Sequence, residues 1–211
     1  YMHGDNTATI DDARFFDTRV VENGTPKPWA VSANYNTQKL SAALTKSLEE
    51  TESVAFLIAK KGEIVYEQYW DGYSDTSHSN AFSASKSITT MLVQIAIQEG
   101  FIKSWDQKVS DFFPEIKGEF AAELTLRHLC TMTAGLNYNE HYKNPFDITA
   151  KTYYGPDVWE LMKEKVAVTK KPGSYEYQSG ATQWLGMVLI KATGQHLADY
   201  ASEKLWKPLG A

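Results

Sequence analysis

A chain of 211 residues with 43% hydrophobic and 13% aromatic residues can fill a core, which excludes a disordered or collagen-like polymer. The formal net charge of −5, without any cluster of lysine and arginine, argues against a nucleic-acid partner. The longest apolar run, Val54–Ala59, is far shorter than the roughly 20 residues of a membrane-spanning helix, so we expect no membrane span.

The first part of the chain predicts an N-terminal arm, followed by one domain over 37–211. Residues 1–36 show no sustained periodicity and contain two prolines, a pattern typical of an arm that lies over the surface of a fold. From Thr37 onwards, apolar residues recur at three- and four-residue intervals on one side, which predicts a helix.

Two β-rich runs follow, over 53–60 and 63–70, and Lys61-Gly62 separates them. Glycine tolerates the positive φ of a tight turn, so this pattern predicts a β-hairpin. The first run is apolar on both faces, and we expect both faces to be covered. No later segment predicts a strand, and an isolated hairpin is only marginally stable in water. We therefore expect the strands that complete the sheet to lie in sequence outside these residues.

The rest of the chain predicts helices. A polar loop leads into an apolar stripe that starts after Ser83 and ends at Gly100, a residue suited to a helix C-terminus. Gly135 and Gly194 occupy positions where left-handed helix caps are expected. Further helices are predicted near 125–133, 157–166, 181–193 and 196–206.

Ser83 and Lys86, spaced Ser-x-x-Lys at the predicted start of a helix, are the first candidates for chemistry. A serine hydroxyl is a poor nucleophile until a base takes its proton, and residues three apart share one helix face. A neutral lysine amine could accept that proton, while the helix N-terminus adds positive potential near an attacked carbonyl. The spacing alone occurs about once by chance in a chain of this composition. The alternative is that Ser83 caps the helix and Lys86 is solvated.

Tyr177 is the second candidate, in the segment Pro172–Gly180 before a predicted buried helix. Its phenol could reach a cleft and, beside a lysine, relay protons. The alternative is an aromatic residue that anchors a loop. Tyr142, followed by Lys143, is a further candidate for a contact in the site, with loop packing as its alternative.

Other chemistry is poorly supported. The five histidines, at positions 3, 78, 128, 141 and 196, lack metal-ligand spacing, and neither a zinc site nor another cofactor is expected. The sequence has no Gly-x-Ser-x-Gly, Walker or Gly-x-Gly-x-x-Gly motif, which disfavours α/β-hydrolases, P-loop enzymes and dinucleotide binders. The one cysteine, Cys130, excludes an intrachain disulfide and is expected to be a buried, inert thiol.

Together, Ser83-x-x-Lys86 and Tyr177-x-Ser179 resemble the penicillin-recognising serine hydrolases, which include class C β-lactamases, D,D-peptidases and related esterases. The Tyr-x-Ser form is most similar to the 6-aminohexanoate-dimer hydrolase branch. Further similar segments lie at 124–136, 137–142 and 206–211, so that the resemblance runs from about residue 53 to residue 211.

The resemblance implies an α+β, β-lactamase/transpeptidase-like fold, in which a helical region lies beside an antiparallel sheet and the active cleft lies between them. Only the first hairpin of that sheet is expected in this chain. The family's third motif, Lys/His-x-Gly on a later strand, has no match here, although that strand supplies one of two oxyanion-hole N–H groups. The 211 residues are therefore expected to be an N-terminal portion that is inactive without its C-terminal segment.

The resemblance also implies roles for single residues. Ser83 corresponds to the acylated nucleophile, Lys86 to its proton acceptor and Tyr177 to the general base and acid. Tyr142 matches a tyrosine that helps to position the substrate and the leaving amine. At the position of Ser179 the family more commonly has an asparagine, which contacts the acylamide of a β-lactam. Because this chain has a serine there, efficient penicillinase activity is not expected.

These observations predict a serine hydrolase that cleaves a small amide or ester through an acyl-enzyme on Ser83. The substrate is expected to be β-lactam-like, peptide-like or an oligomeric amide. Two alternatives stay open. The first is a non-catalytic, penicillin-binding-like module that binds peptide or cell-wall fragments. The second is a Ser-His-Asp hydrolase that uses His78 or His141.

Overall fold

The structure is a computed structural model that describes residues 9–12, 16–142, 144 and 146–211. The first eight residues and residues 13–15 of the predicted N-terminal arm therefore lie outside the described residues. Lys143, which follows the candidate Tyr142, also lies outside them.

The chain divides into two compact units. The first unit comprises the described residues up to Thr18 together with Gly24–Ala81 and Leu209–Ala211. The second unit comprises Arg19–Asn23 and Phe82–Pro208, and it contains the candidates Ser83, Lys86 and Tyr177.

The first unit holds a three-stranded sheet in the order β1-β3-β2. Strands β2 (Ala55–Lys60) and β3 (Glu63–Tyr69) are antiparallel and form the predicted hairpin. Lys61 and Gly62, between them, have φ angles of 54° and 82°, as a type I′ turn requires. A shift in register between Ile58 and Ala59 interrupts the pairing once.

Strand β1 (Ala30–Val31) was not predicted, and it pairs in parallel with β3, with Ala30 opposite Glu63. The side chain of Asn36 continues this pairing, because it exchanges two 2.9 Å hydrogen bonds with the backbone of Glu67. Part of the segment that was predicted as an arm thus supplies a strand. Two residues are too few for an alternating pattern, so the sequence carries no signal for β1.

Strand β2 lies at the edge of the sheet, with β3 as its neighbour on one side. Five of its six residues are exposed, including Leu57 and Ile58, at 49% and 40%. The expectation that both of its faces are covered is therefore not met within the described residues. The other element of this unit is helix α1 (Ala42–Glu50), which begins where the hydroxyl of Ser41 accepts a hydrogen bond from the Leu44 N–H.

The remaining helices follow the 3₁₀ turn at Phe82–Ala84. They are α2 (Ser85–Gln98), α3 (Leu126–Cys130), α4 (Ile148–Tyr154), α5 (Val158–Lys165), α6 (Ser179–Thr193), α7 (Leu197–Ala201) and α8 (Lys207–Leu209), with a π-helical turn at Ser202–Trp206. All were predicted except α4 and α8. Within the described ranges, no helix has the length and apolarity needed to cross a bilayer.

Helix α6 is the centre of the second unit, and α2, α3, α5 and α7 all contact it. Its residues Trp184 and Val188 are fully buried, as is Val93 of α2. The ring of Phe113 meets that of Trp184 edge-on, with 5.3 Å between their centroids. Because α2 and α6 share this core, the side chains at their N-terminal ends are held by one packed body.

Gly135 lies in a segment that packs closely against the backbone at Lys170. Its φ is 68°, which agrees with the predicted left-handed conformation. A Cβ at this position would lie 2.2 Å from the carbonyl oxygen of Lys170. The carbonyl of Gly135 also accepts hydrogen bonds of 3.0 Å from the N–H groups of Thr169 and Lys170. Glycine is therefore required for two independent reasons, the φ angle and the close approach.

Substitution of two glycines separates these two reasons. Gly194, at the C-terminus of α6, has almost the same φ of 71° but open space around it. We expect Gly194→Ala to lower the free energy of unfolding by about 1 kcal/mol, the cost of the left-handed backbone alone. Gly135→Ala should lower it by at least about 3 kcal/mol, because the methyl group also collides with backbone. Urea denaturation measures both, and equal losses would contradict the contact with Lys170.

Candidate active site

Ser83 lies in the 3₁₀ turn that leads directly into α2. The preceding residue, Phe82, has a φ of 42°, which is uncommon for a bulky side chain and is the kind of backbone strain that is found at functional sites. The N-cap residue of α2 is Ala84, not Ser83. The alternative interpretation of Ser83 as a helix cap is therefore wrong.

Three candidate side chains meet at the oxygen of Ser83. The hydroxyl of Tyr177 donates a hydrogen bond of 2.7 Å to Ser83 Oγ, although the two residues are 94 positions apart. The ammonium of Lys86, one helical turn along, donates a second one of 3.0 Å to the same oxygen. Lys86 Nζ also lies 5.3 Å from the centroid of the Tyr177 ring, within cation–π range. Lys86 is half-buried, and its hydrogen bond to Ser83 gives it a contact that the alternative of a solvated residue does not include.

These groups line a cavity of about 450 Å³ in the second unit. Its wall also includes Cys130, which is half-buried rather than buried as expected, and whose Sγ lies 3.9 Å from Thr90 Oγ1. The lining mixes hydroxyl groups with apolar side chains, as small-molecule sites do. The full lining is Ser83, Lys86, Ser87, Thr90, Cys130, Met132, Tyr177, Thr182 and Leu185.

Gln178 fixes the backbone next to Tyr177. Its amide is almost fully buried, with 1% of the residue exposed. Its Nε2 donates to the carbonyls of Leu136 (2.8 Å) and Tyr138 (2.9 Å), and its Oε1 accepts from the N–H of Leu136 (3.2 Å). A buried amide with three bonds to the backbone has one possible orientation. The backbone next to Tyr177 is therefore held in one position.

A second set of backbone hydrogen bonds holds the segment before Tyr177. The N–H of Gly173 donates to the carbonyl of Thr133 (2.9 Å), and that of Glu176 donates to the carbonyl of Met132 (2.8 Å). The loop that carries the phenol is thus attached to the segment just after α3. Because α3 contacts α6, which contacts α2, the position of Tyr177 is coupled to that of Ser83 through the core.

Tyr142 and Ser179 are brought together by a residue that the sequence analysis did not single out, Glu140. The carboxylate of Glu140 accepts hydrogen bonds from the Tyr142 hydroxyl, from the Ser179 backbone N–H and, at 3.2 Å, from the Ser179 hydroxyl. Burial, and then the hydrogen bond to Glu140, raise the pKa of Tyr142. The signal that could have indicated Glu140 is its place two residues before Tyr142, in a segment that resembles a family motif.

The described geometry gives no support to a Ser-His-Asp arrangement. His141 pairs with Asp147 at 3.5 Å, but this histidine is largely exposed. His78 is exposed in the first unit, and His3 lies outside the described residues. Throughout the described part of the chain, the hydrogen bonds to Ser83 Oγ come from a lysine and a tyrosine. In the same residues, no three His, Cys, Asp or Glu side chains are grouped to hold a metal ion.

Comparison with known proteins assigns the family. A family profile described as Beta-lactamase matches residues 40–211 of the chain. The chain belongs to the Beta-lactamase family. The resemblance that was drawn from the Ser-x-x-Lys and Tyr-x-Ser motifs is thereby confirmed.

The chain is also similar to single relatives and solved structures. The 6-aminohexanoate-dimer hydrolase of Paenarthrobacter ureafaciens is 26% identical over 80% of this chain and 45% of its own length. A provisionally named 6-aminohexanoate-dimer hydrolase of Bacillus anthracis has a TM-score of 0.80 at 22% identity, over 95% of this chain and 58% of its own. A class C β-lactamase of Rhodobacter sphaeroides has a TM-score of 0.58 at 22% identity, over 79% of this chain and 47% of its own.

These likenesses confirm the predicted α+β, β-lactamase/transpeptidase-like fold. The chain spans about half the length of the relatives it matches. The described part of the chain contains the helices of this fold and a sheet of three strands.

Removing the amide of Gln178 tests whether it holds the segment that carries Tyr177. Gln178→Ala leaves three buried backbone groups without partners, so we expect the free energy of unfolding to fall by about 3 kcal/mol or more. Gln183→Ala, the same change one helical turn into α6, should alter it by less than about 1 kcal/mol. Equal effects of the two substitutions in chemical denaturation would contradict the role of Gln178.

Proposed function

We propose that the protein is a serine hydrolase that cleaves a small amide or ester through an acyl-enzyme on Ser83. The observation that carries this proposal is the pair of hydrogen bonds that Tyr177 and Lys86 make to Ser83 Oγ, at 2.7 and 3.0 Å. A hydroxyl that lies within hydrogen-bonding distance of two proton-transfer groups is the arrangement of an activated nucleophile. Membership of the Beta-lactamase family, and a relative named as a hydrolase, support the same reaction class.

In the acylation step, Ser83 Oγ attacks the carbonyl carbon of the substrate and gives up its proton. Lys86, when its amine is neutral, is placed to accept that proton across 3.0 Å. The carbonyl π electrons move to oxygen, and the positive end of the α2 dipole lies close to the resulting negative charge. The family resemblance implies that a later strand, which carries a Lys/His-x-Gly motif, supplies a second oxyanion donor. We propose that full activity needs such a strand.

Collapse of the tetrahedral intermediate breaks the bond to the leaving group, and Tyr177 donates a proton to the departing nitrogen or oxygen. The product is an ester between the acyl group and Ser83. Tyr177 then takes a proton from water, the resulting hydroxide attacks the ester, and Ser83 leaves as its oxygen recovers the proton that Lys86 accepted during acylation. One phenol can serve both steps because it lies 2.7 Å from the oxygen at which they occur.

The substrate class that the site favours is a linear amide or ester rather than a β-lactam. Ser179 replaces the asparagine that commonly contacts the acylamide of β-lactams. Its hydroxyl donates a hydrogen bond to the carboxylate of Glu140. The relative from Paenarthrobacter ureafaciens is named for a linear amide, the 6-aminohexanoate dimer. Short linear amides of that kind, and p-nitrophenyl esters, are therefore the substrates to assay.

A fluorophosphonate probe tests the nucleophile. On the complete gene product we expect the probe to label Ser83, as located by peptide mass spectrometry, and Ser83→Ala to abolish both labelling and ester turnover. Ser174→Ala, at an exposed serine three residues before Tyr177, should keep both. Labelling at another residue would overturn the assignment, and binding of β-lactams without labelling or turnover would favour the non-catalytic alternative.

Removal of the phenol hydroxyl tests the proton-transfer role of Tyr177. Tyr177→Phe should lower kcat on an amide by about 100-fold or more, because the leaving nitrogen cannot depart without a proton. The matched control is Tyr175→Phe, since Tyr175 lies in the same loop and is 72% exposed. It should retain wild-type kcat within about twofold. Steady-state kinetics decide, and an active Tyr177→Phe variant would contradict the mechanism.

A further inference from the structure

His128 closes a capping box at the start of α3. Its ring nitrogen Nδ1 accepts a hydrogen bond of 3.2 Å from the backbone N–H of Thr125, the N-cap residue. In return, the hydroxyl oxygen of Thr125 accepts one of 3.3 Å from the His128 N–H. Glutamate or glutamine usually makes this reciprocal contact. A histidine makes the cap depend on protonation, because an imidazole nitrogen accepts a hydrogen bond only while it carries no hydrogen.

Two hydrogen bonds connect His128 to the loop that carries Tyr177. The carbonyl of His128 accepts from the N–H of Thr133 (2.9 Å), and the carbonyl of Thr133 accepts from the N–H of Gly173 (2.9 Å). Met132, which precedes Thr133, lines the same cavity as Tyr177. The capping box is therefore built into the short helix whose end holds the segment that presents the phenol.

The surroundings of His128 keep its ring neutral. Burial, and then the positive charge of Lys108, lower the pKa of His128 below its usual value of about 6.5. Four charged groups act on the ring, the cations Lys108 and Arg127 and the anions Asp106 and Glu123. Arg127 and Asp106 are paired through hydrogen bonds of 2.7 and 3.0 Å, so their effects on the ring oppose each other at close range. At pH 7 the ring is neutral, and its hydrogen lies on Nε2 because Nδ1 accepts.

We propose that His128 is a pH-sensitive positioning residue, which holds the Tyr177 loop in place through α3 while its imidazole is neutral. Protonation puts a hydrogen on Nδ1, so two donors face each other and the backbone N–H of Thr125 loses its partner. Thr125 is only 7% exposed, so water does not readily replace that partner. The start of α3 is weakened, and with it the support of the loop. The catalytic consequence rests on the proposed function, because it requires Tyr177 to transfer protons.

The direction of the pH dependence follows from the lowered pKa of His128. In a released segment the histidine has its usual pKa of about 6.5, so it binds a proton more readily than in the capped helix. The cap therefore contributes its full stabilisation above about pH 6.5 and loses it as the pH falls through the pKa of the capped form. Glutamine in place of His128 offers an amide oxygen to the Thr125 N–H at every pH, which removes the dependence.

The ratio of two activities isolates this effect, because wild type and His128→Gln share the titrations of Lys86 and Tyr177. On the complete gene product at about pH 7.5, their kcat/KM values for a p-nitrophenyl ester should agree within about twofold. Between about pH 7.5 and pH 5, the wild-type value should fall about 3- to 10-fold relative to His128→Gln, the effect of one lost hydrogen bond. His196→Gln, the same change at an exposed histidine, should follow the wild type throughout.

Removal of the cap provides the opposite comparison. His128→Ala has no acceptor at any pH, so at about pH 7.5 it should already show the 3- to 10-fold loss, and its ratio to His128→Gln should not change with pH. A wild-type ratio to His128→Gln that stays constant with pH would overturn the inference, and so would an alanine variant as active as the glutamine variant. If His128→Ala does not fold, the comparison of wild type with His128→Gln still decides.

Nitrogen NMR of the imidazole tests the cap without any catalysis. In the complete gene product, His128 should carry its hydrogen on Nε2 at neutral pH and titrate with a pKa below about 6.5. A hydrogen on Nδ1, or a pKa above that value, would overturn the inference.

Fluorophosphonate labelling separates failure of this inference from failure of the proposed function. Protein that labels at Ser83 but keeps a constant activity ratio overturns the role of His128 alone. Protein that shows the expected titration of His128 but neither labels at Ser83 nor hydrolyses the ester overturns the proposed function, and with it the catalytic consequence of the cap.

Discussion

The hydrogen bond between Tyr177 Oη and Ser83 Oγ brings together two segments that are 94 residues apart in the chain. Lys86 contacts the same oxygen because residues three apart lie on one face of a helix. Tyr177 has no such local support. Its position depends on the packing of α6 against α2 and on the loop that precedes α6. The chemistry proposed for the site requires all three groups, so it depends on this long-range contact.

The residues that hold Tyr177 in place are mostly not residues that would react. Gln178 is buried and bonds to the backbone of Leu136 and Tyr138, and Glu176 is attached through its N–H to Met132. Gly135 permits a close approach to the backbone of Lys170, seven residues before Tyr177. A rigid support of this kind lowers the entropic cost of bringing a phenol to a hydroxyl, because the two are aligned before substrate arrives. The same helix end, through Ser179 and Glu140, holds Tyr142.

Features that are encoded locally could be predicted from the sequence. The hairpin follows from two β-rich runs around Lys61-Gly62, and the end of α6 follows from Gly194. Helix α4 (Ile148–Tyr154) was missed because its β-branched and aromatic residues have low helix propensity, and burial of Thr149 and Ala150 overrides that propensity. The two-residue strand Ala30–Val31 was missed because its pairing with β3 is not local.

The site was predictable only where a motif marks it. Ser83, Lys86 and Tyr177 stand in motifs whose chemistry can be argued from residue type and order, and the structure brings their side chains together. Gln178 and Glu140 act through bonds to backbone or side chains about 40 residues away, and no spacing rule indicates such contacts. Their roles become visible only when the donors and acceptors of each buried group are counted in three dimensions.

A high-resolution crystal structure of the complete gene product tests the central claim most directly, through the surroundings of one oxygen atom. The account predicts that Ser83 Oγ lies about 2.5–3.0 Å from the Tyr177 hydroxyl, with Lys86 Nζ also within hydrogen-bonding distance. A well-ordered structure in which Tyr177 points away from Ser83, or in which a histidine replaces it as the partner of Ser83, would contradict the account.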